Sequence, residues 1–145
     1  MTIYIDSSAL IKLYVKEAGS TKVADYVKGL AAPIIFSHLH EVEIKNGLRL
    51  KLFRKETSRF TVEASIRLID EDLASGILER RNLQWLDVFR KAEEFSRDHS
   101  AYLGCRALDL LHIACAALLE ATHLLTFDAR QAELAKRAGL KLIEL

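Results

Sequence analysis

A three-layer α/β/α sandwich around a short, mainly parallel, Rossmann-like sheet is the fold this chain predicts, and three observations predict it. The strand candidates are short apolar runs without polar alternation, as in parallel strands covered on both faces. Stretches with apolar residues at three- and four-residue spacing lie between them, so helices make the crossovers, which are right-handed when strands are parallel. The chain has 145 residues, 50% of them hydrophobic and 28% charged, with no repeat or Pro/Gly/Ser linker. That length supports one domain over residues 1–145 with a substantial core.

The elements follow in order. Ile3 to Ile5 reads as the first strand, and the first helix is expected from Ser7 to Lys16. Ser20 can cap a second helix that carries Val23 and Val27 to about Leu30. Pro33, the single proline, precedes a strand at Ile34 to Phe36, and a third helix spans His38 to Arg54 with Leu39, Val42, Leu48 and Leu52 on its stripe. Ser58 can cap a fourth helix whose Val62, Ile66, Ile69 and Leu73 keep helical spacing until Gly76. A weaker strand is read at Leu83 to Leu86, then helices at Val88 to Arg97 and Ala107 to Glu120. Leu124 to Phe127 is a strand, Ala129 to Ala138 a helix stopped by Gly139, and Leu140 to Ile143 the last strand.

Composition narrows the function classes. A formal net charge of +1 does not announce nucleic-acid binding, but between Lys45 and Arg59 six basic residues face only Glu56. Standing alone, that stripe reads as a solvated helix face. Cys105 and Cys115 are too few for a disulfide framework and lack zinc-site pairing, and His38 and His40, two apart, lack partners at zinc spacing. No apolar run is long enough to span a bilayer, and no secretory layout opens the sequence, so a cytoplasmic protein without membrane contact is expected. Dinucleotide, P-loop and serine-hydrolase fingerprints are absent.

Four acids stand out. Asp6 closes the first strand, Asp128 follows the run Leu124 to Phe127, Asp109 opens a helix and Glu43 lies one to two turns into another. In a parallel sheet, ligands bind beyond the carboxyl ends of the strands, where the returning helices also begin. Two unit charges about 4 Å apart repel by roughly 4 kcal/mol at an effective dielectric near 20, so such a group calls for a hard divalent cation. Each acid also has an ordinary explanation. Asp6 can be an N-cap, Asp128 with Gln131 resembles a capping box, Asp109 can serve a helix dipole, and Glu43 can be solvated like Glu41. Asp109 resists this most, because Leu108, Leu110, Leu111 and Ile113 make its helix apolar nearly all round. His112, one turn on, can hydrogen-bond it or can be a satisfied core histidine.

In order, these residues carry a family resemblance. Ile5-Asp6-Ser7-Ser8-Ala9-Leu10-Ile11-Lys12-Leu13-Tyr14, Ser37-His38-Leu39-His40-Glu41-Val42-Glu43-Ile44 with Gly47-Leu48-Arg49, Leu108-Asp109-Leu110-Leu111-His112-Ile113-Ala114, and Leu125-Thr126-Phe127-Asp128 resemble the four motifs of PIN domains, more narrowly of VapC-type ribonuclease toxins. The resemblance spans the whole chain and matches Glu43, not Glu41, to the family's glutamate. It implies an Mg²⁺- or Mn²⁺-dependent endoribonuclease, a toxin held by a small antitoxin, and a homodimer.

On this reading Asp6, Glu43, Asp109 and Asp128 are the catalytic acids, with Asp6, Glu43 and Asp109 holding the metal. Lys12, Lys45 and Arg49 are candidates for positioning RNA, and Ser7, Asn46, His112 and Thr126 for hydrogen-bonding the acids. A metal-dependent phosphatase or phosphotransferase is the competing enzyme, although its second aspartate would be expected where Ser8 stands. A silent module that binds RNA or protein is the competing class, and the complete acidic set argues against it.

Overall fold

In the computed structural model, which describes residues 1–145, the strands are β1 (Ile3–Ile5), β2 (Ile34–Ile35), β3 (Leu78–Glu79), β4 (His123–Leu125) and β5 (Lys141–Leu142). The helices are α1 (Ser7–Leu10), α2 (Ser20–Lys28), α3 (His38–Phe53), α4 (Arg59–Ser75), α5 (Trp85–Phe95), α6 (Ala101–Leu103), α7 (Ala107–Leu118) and α8 (Ala129–Arg137). A 3₁₀ turn, Ile11–Leu13, follows α1, and a π-helical turn, Ser96–Ser100, joins α5 to α6. The contacts gather into two units, Met1–Asp6 with Asn82–Glu144, and Ser7–Arg81 with Leu145.

The first unit is built on a parallel sheet in the order β1-β4-β5. Ile3, Tyr4 and Ile5 sit opposite His123, Leu124 and Leu125, and His123 and Leu124 opposite Lys141 and Leu142. Tyr4, Ile5, Leu124 and Leu125 are at most 2% exposed, which is why these strands are apolar without alternation. α7 packs against α5 and α8, burying Leu110, Ile113, Ala114, Cys115 and Ala116. That explains its nearly continuous apolar sequence.

In the second unit β2 and β3 pair in parallel, Ile34 opposite Leu78 and Ile35 opposite Glu79, and the amides of Ile34 and Phe36 extend the ladder onto Ile77 and Glu79. α3 packs on α4 and on α1. Gly47 permits close approach on α3, since a Cβ there would lie 3.2 Å from Ile11 Cδ1. Ser37 caps α3 by a route not visible as a standard motif: its Oγ accepts from the His40 amide, while His40 Nδ1 accepts from the Ser37 amide at 3.0 Å. His40 is fully buried and stacked on Phe36, so it is a structural histidine. Ser58 caps α4 as expected, and Gly76, at φ 82°, closes it in the left-handed region.

Three expectations need correction. The first helix stops early, because the Tyr14 carbonyl accepts from Ser65 Oγ at 2.6 Å and the Val15 carbonyl from Ser20 Oγ at 3.1 Å, which takes both out of a helical ladder. Ser20 is therefore the first residue of α2 rather than its cap, a place held by Gly19. Leu83 to Leu86 is no strand, since Gln84 is the N-cap of α5 and Val88 and Ala92 form that helix's buried stripe. The strand lies earlier, at Leu78–Glu79, and is too short to show any period.

Candidate active site

In the first unit the sheet ladder places Asp6 just beyond β1, where its amide donates to the Leu125 carbonyl at 3.1 Å and continues the pairing with β4. Its side chain is buried, 3% exposed. Thr126, the residue after β4, donates its hydroxyl to Asp6 Oδ2 and accepts the Asp128 amide at 3.0 Å. One threonine thus fixes both the carboxylate after β1 and the turn that starts α8.

Asp128 is the N-cap of α8. Its Oδ1 accepts from the amides of Arg130 and Gln131 at 2.8 and 3.1 Å. Gln131 does not complete a capping box, because its amide group is 1% exposed with neither atom hydrogen-bonded. The other oxygen, Oδ2, accepts from an Arg106 Nη at 2.9 Å.

Arg106 is the N-cap position of α7 and links two acids. Besides Asp128, it approaches Asp109 Oδ2 with its backbone amide at 3.2 Å and its Nε at 3.4 Å. Asp109 is 7% exposed, in the third position of the helix, where the dipole favours a negative charge. Its Oδ2 serves the helix end and Arg106, while Oδ1 makes no hydrogen bond with the protein. A run of bonded groups, Asp6 to Thr126 to Asp128 to Arg106 to Asp109, therefore connects three of the four sequence-predicted acids.

Of the residues expected to bond the acids, Thr126 does so. Ser7 is buried, and Asn46 is exposed on α3. His112 turns Nδ1 to Tyr4 Oη at 2.8 Å, edge-on to its ring. Beneath them the Cys115 thiol is pushed up to about 12 by burial, a shift partly opposed by a hydrogen bond with Tyr4. Arg106 went unnoticed in the sequence, although an arginine three residues before a helix-opening aspartate is an available pairing signal.

Glu43 belongs to the second unit, half-buried in the middle of α3. Its neighbour Glu41 is committed elsewhere, to Arg80 and to Lys45. Two of the expected RNA-positioning lysines are also in ion pairs: Lys12 with Glu17 at 3.0 Å and Lys45 with Asp70 at 2.8 Å. Burial of Glu17 opposes its ionisation, but the bonds from Lys12 and Lys51 outweigh it and hold the carboxyl below its usual range. Arg49 is exposed with no ion pair.

The donors suit a hard divalent ion: they are carboxylate oxygens, and Asp109 keeps one uncommitted. No three His, Cys, Asp or Glu side chains gather closely enough to enclose an ion by themselves. Mg²⁺ is commonly held by one or two carboxylates, with waters and substrate phosphate completing its shell, so the residues fit that mode.

The chain matches the PIN domain family over residues 3–137, across both units. It belongs to that family. Among solved structures it resembles VapC20 of Mycobacterium tuberculosis, a toxin that cleaves the sarcin-ricin loop, with a TM-score of 0.68 and 14% identity over 91% of this chain and 94% of that one. It also resembles FitAcB of Neisseria gonorrhoeae, with a TM-score of 0.66 and 14% identity over 99% and 97% of the two chains. The three-layer α/β/α fold expected from the sequence is the fold it shares with them. A search of curated proteins finds no match. No helix is long and apolar enough to cross a membrane.

Proposed function

We propose that this chain is a single PIN domain acting as a metal-dependent endoribonuclease, the toxin of a toxin–antitoxin pair. The observation that carries the reading is the bonded run of Asp6, Thr126, Asp128, Arg106 and Asp109 in a chain that matches the PIN family almost from end to end. The fold shared with VapC20, a toxin that cleaves the sarcin-ricin loop, supports it.

Asp6 and Asp109 would hold Mg²⁺ or Mn²⁺, and Glu43 is the third acid that the family resemblance assigns to the ion. When bound there, such an ion would supply a water of lowered pKa and charge neutralisation at the phosphodiester. The protein's part is positional. Thr126 keeps Asp6 in one orientation, and Arg106 fixes Asp109 and Asp128 while balancing their charge. Cleavage in line leaves a 5′-phosphate and a 3′-hydroxyl. A small antitoxin inhibits the enzyme, which works as a homodimer in the cytoplasm.

Sequencing of RNA ends after expression of the wild type and of Asp6→Asn tests this and identifies the target. Divalent-dependent cuts with 5′-phosphate ends are expected from the wild type, and none from Asp6→Asn or Asp109→Asn. Normal cutting by either folded variant would sink the assignment.

A further inference from the structure

Within the second unit, α3 and α4 enclose an open pocket of about 580 Å³, inside the roughly 300–1,000 Å³ range of ligand sites. Its apolar lining is Leu52, Val62 and Ile66, and Arg49, Arg59 and Arg67 line it as well. None of the three arginines has a hydrogen-bond or ion-pair partner. Two acids share the pocket: Asp70 is neutralised by Lys45 at 2.8 Å, which leaves Glu63 alone against three guanidinium groups. The residues of α4 recur at spacings of three and four, so the lining is one face of that helix.

Two large aromatic side chains border this lining in sequence. Phe53 follows Leu52 and is 83% exposed, and Phe60 follows Arg59 and is 80% exposed. Guanidinium groups without partners match phosphate oxygens bidentately, and Phe53, one helical turn after Arg49 on α3, and Phe60, two turns before Arg67 on α4, offer exposed stacking faces to bases. An acidic peptide would use the charge but leave the rings without a role.

We propose that this α3–α4 groove docks single-stranded RNA, with Arg49, Arg59 and Arg67 holding phosphodiester groups and Phe53 and Phe60 stacking bases. The nature of the polymer rests on the ribonuclease reading; the anionic character of the ligand rests on the groove alone.

The test is fluorescence anisotropy of the full chain carrying Asp6→Asn with a labelled 2′-O-methyl RNA 12-mer, which resists cleavage, titrated across 50–200 mM salt. Arg59→Gln with Arg67→Gln should weaken binding about tenfold or more and flatten the log K against log salt slope by about 1.4, two contacts at ~0.7 each. Arg59→Lys with Arg67→Lys, which guards against loss of folding, should keep the slope and lose part of the affinity. Phe53→Ala with Phe60→Ala should weaken binding at unchanged slope. Unchanged affinity and slope in the Gln pair would overturn the proposal. So would an oligo-glutamate peptide that binds with the same arginine dependence and displaces the RNA, since the groove would then take an acidic polypeptide. Cleavage of unmodified RNA by the wild type is scored separately. Cutting with arginine-independent binding sinks the groove alone, and arginine-dependent binding without cutting sinks the nuclease alone.

Discussion

At the scale of single residues, the bonded acids show how ordinary capping leaves carboxylate oxygens for the proposed site. Asp128 spends one oxygen on the amides of α8 and the other on Arg106, whereas Asp109 spends only one. Arg106→Gln should therefore destabilise by only about 1 kcal/mol, since the guanidinium is 63% accessible and screened by solvent, although the Asp109 and Asp128 side chains it faces are 10% and 26% accessible. RNA cleavage should fall about tenfold, because two carboxylates lose their common partner; a melting curve beside an end-point cleavage assay checks both. Gln131 is the reverse case. Its amide is buried without partners, so Gln131→Met should raise stability by about 1 kcal/mol, read as a higher melting temperature. Asp6, Asp109 and Thr126 could be picked out in the sequence because strand ends and helix starts are marked by pattern. Arg106 was legible only as a neighbour three residues before Asp109; that it also reaches Asp128, 19 residues beyond Asp109, comes from the fold.

At the scale of elements, caps and cross-links define where each segment stops. Ser58 accepts the Thr61 amide at 3.1 Å, and Ser58→Ala should cost about 1 kcal/mol, measured by denaturant unfolding. Glu17 ties the turn after α1 to α3, accepting from Lys12 at 3.0 Å and facing Lys51 at 3.2 Å. Its carboxyl binds protons less readily in the folded chain than in the unfolded one, so its contribution is complete above the unfolded value near 4.5 and fades as pH falls through the lower folded value. Glu17→Gln should therefore be less stable than the wild type at pH 7, with the gap closing under more acidic conditions than pH 4.5; melts at several pH values would show it. The long, patterned helices were legible for the same reason these effects are local. β3 and the shortened first helix were not, because a two-residue strand has no period and the turn after α1 is decided by Ser65, some fifty residues away.

For the whole molecule, the proposed divalent ion would couple to folding. A ligand that binds only the folded chain stabilises it by about 2.7 kcal/mol at a hundred times its dissociation constant. Mg²⁺ or Mn²⁺ should raise the melting temperature of the wild type and leave that of Asp6→Asn unmoved, while without metal the variant should melt no lower. An equal metal response in both would remove Asp6 from the ion.

In chain order the second unit falls between β1 and the rest of the first, so Ile3 to Ile5 must wait for His123 to Leu125 before β1 has a partner strand. Pairing across so many intervening residues is slow, because the chain loses loop entropy before the contacts repay it. During synthesis, residues 7–81 are available to fold first, and Asp6 gains Thr126 only once residue 126 has emerged from the ribosome. A nascent chain that stops short of residue 126 therefore lacks the contact that orients Asp6 in the proposed site.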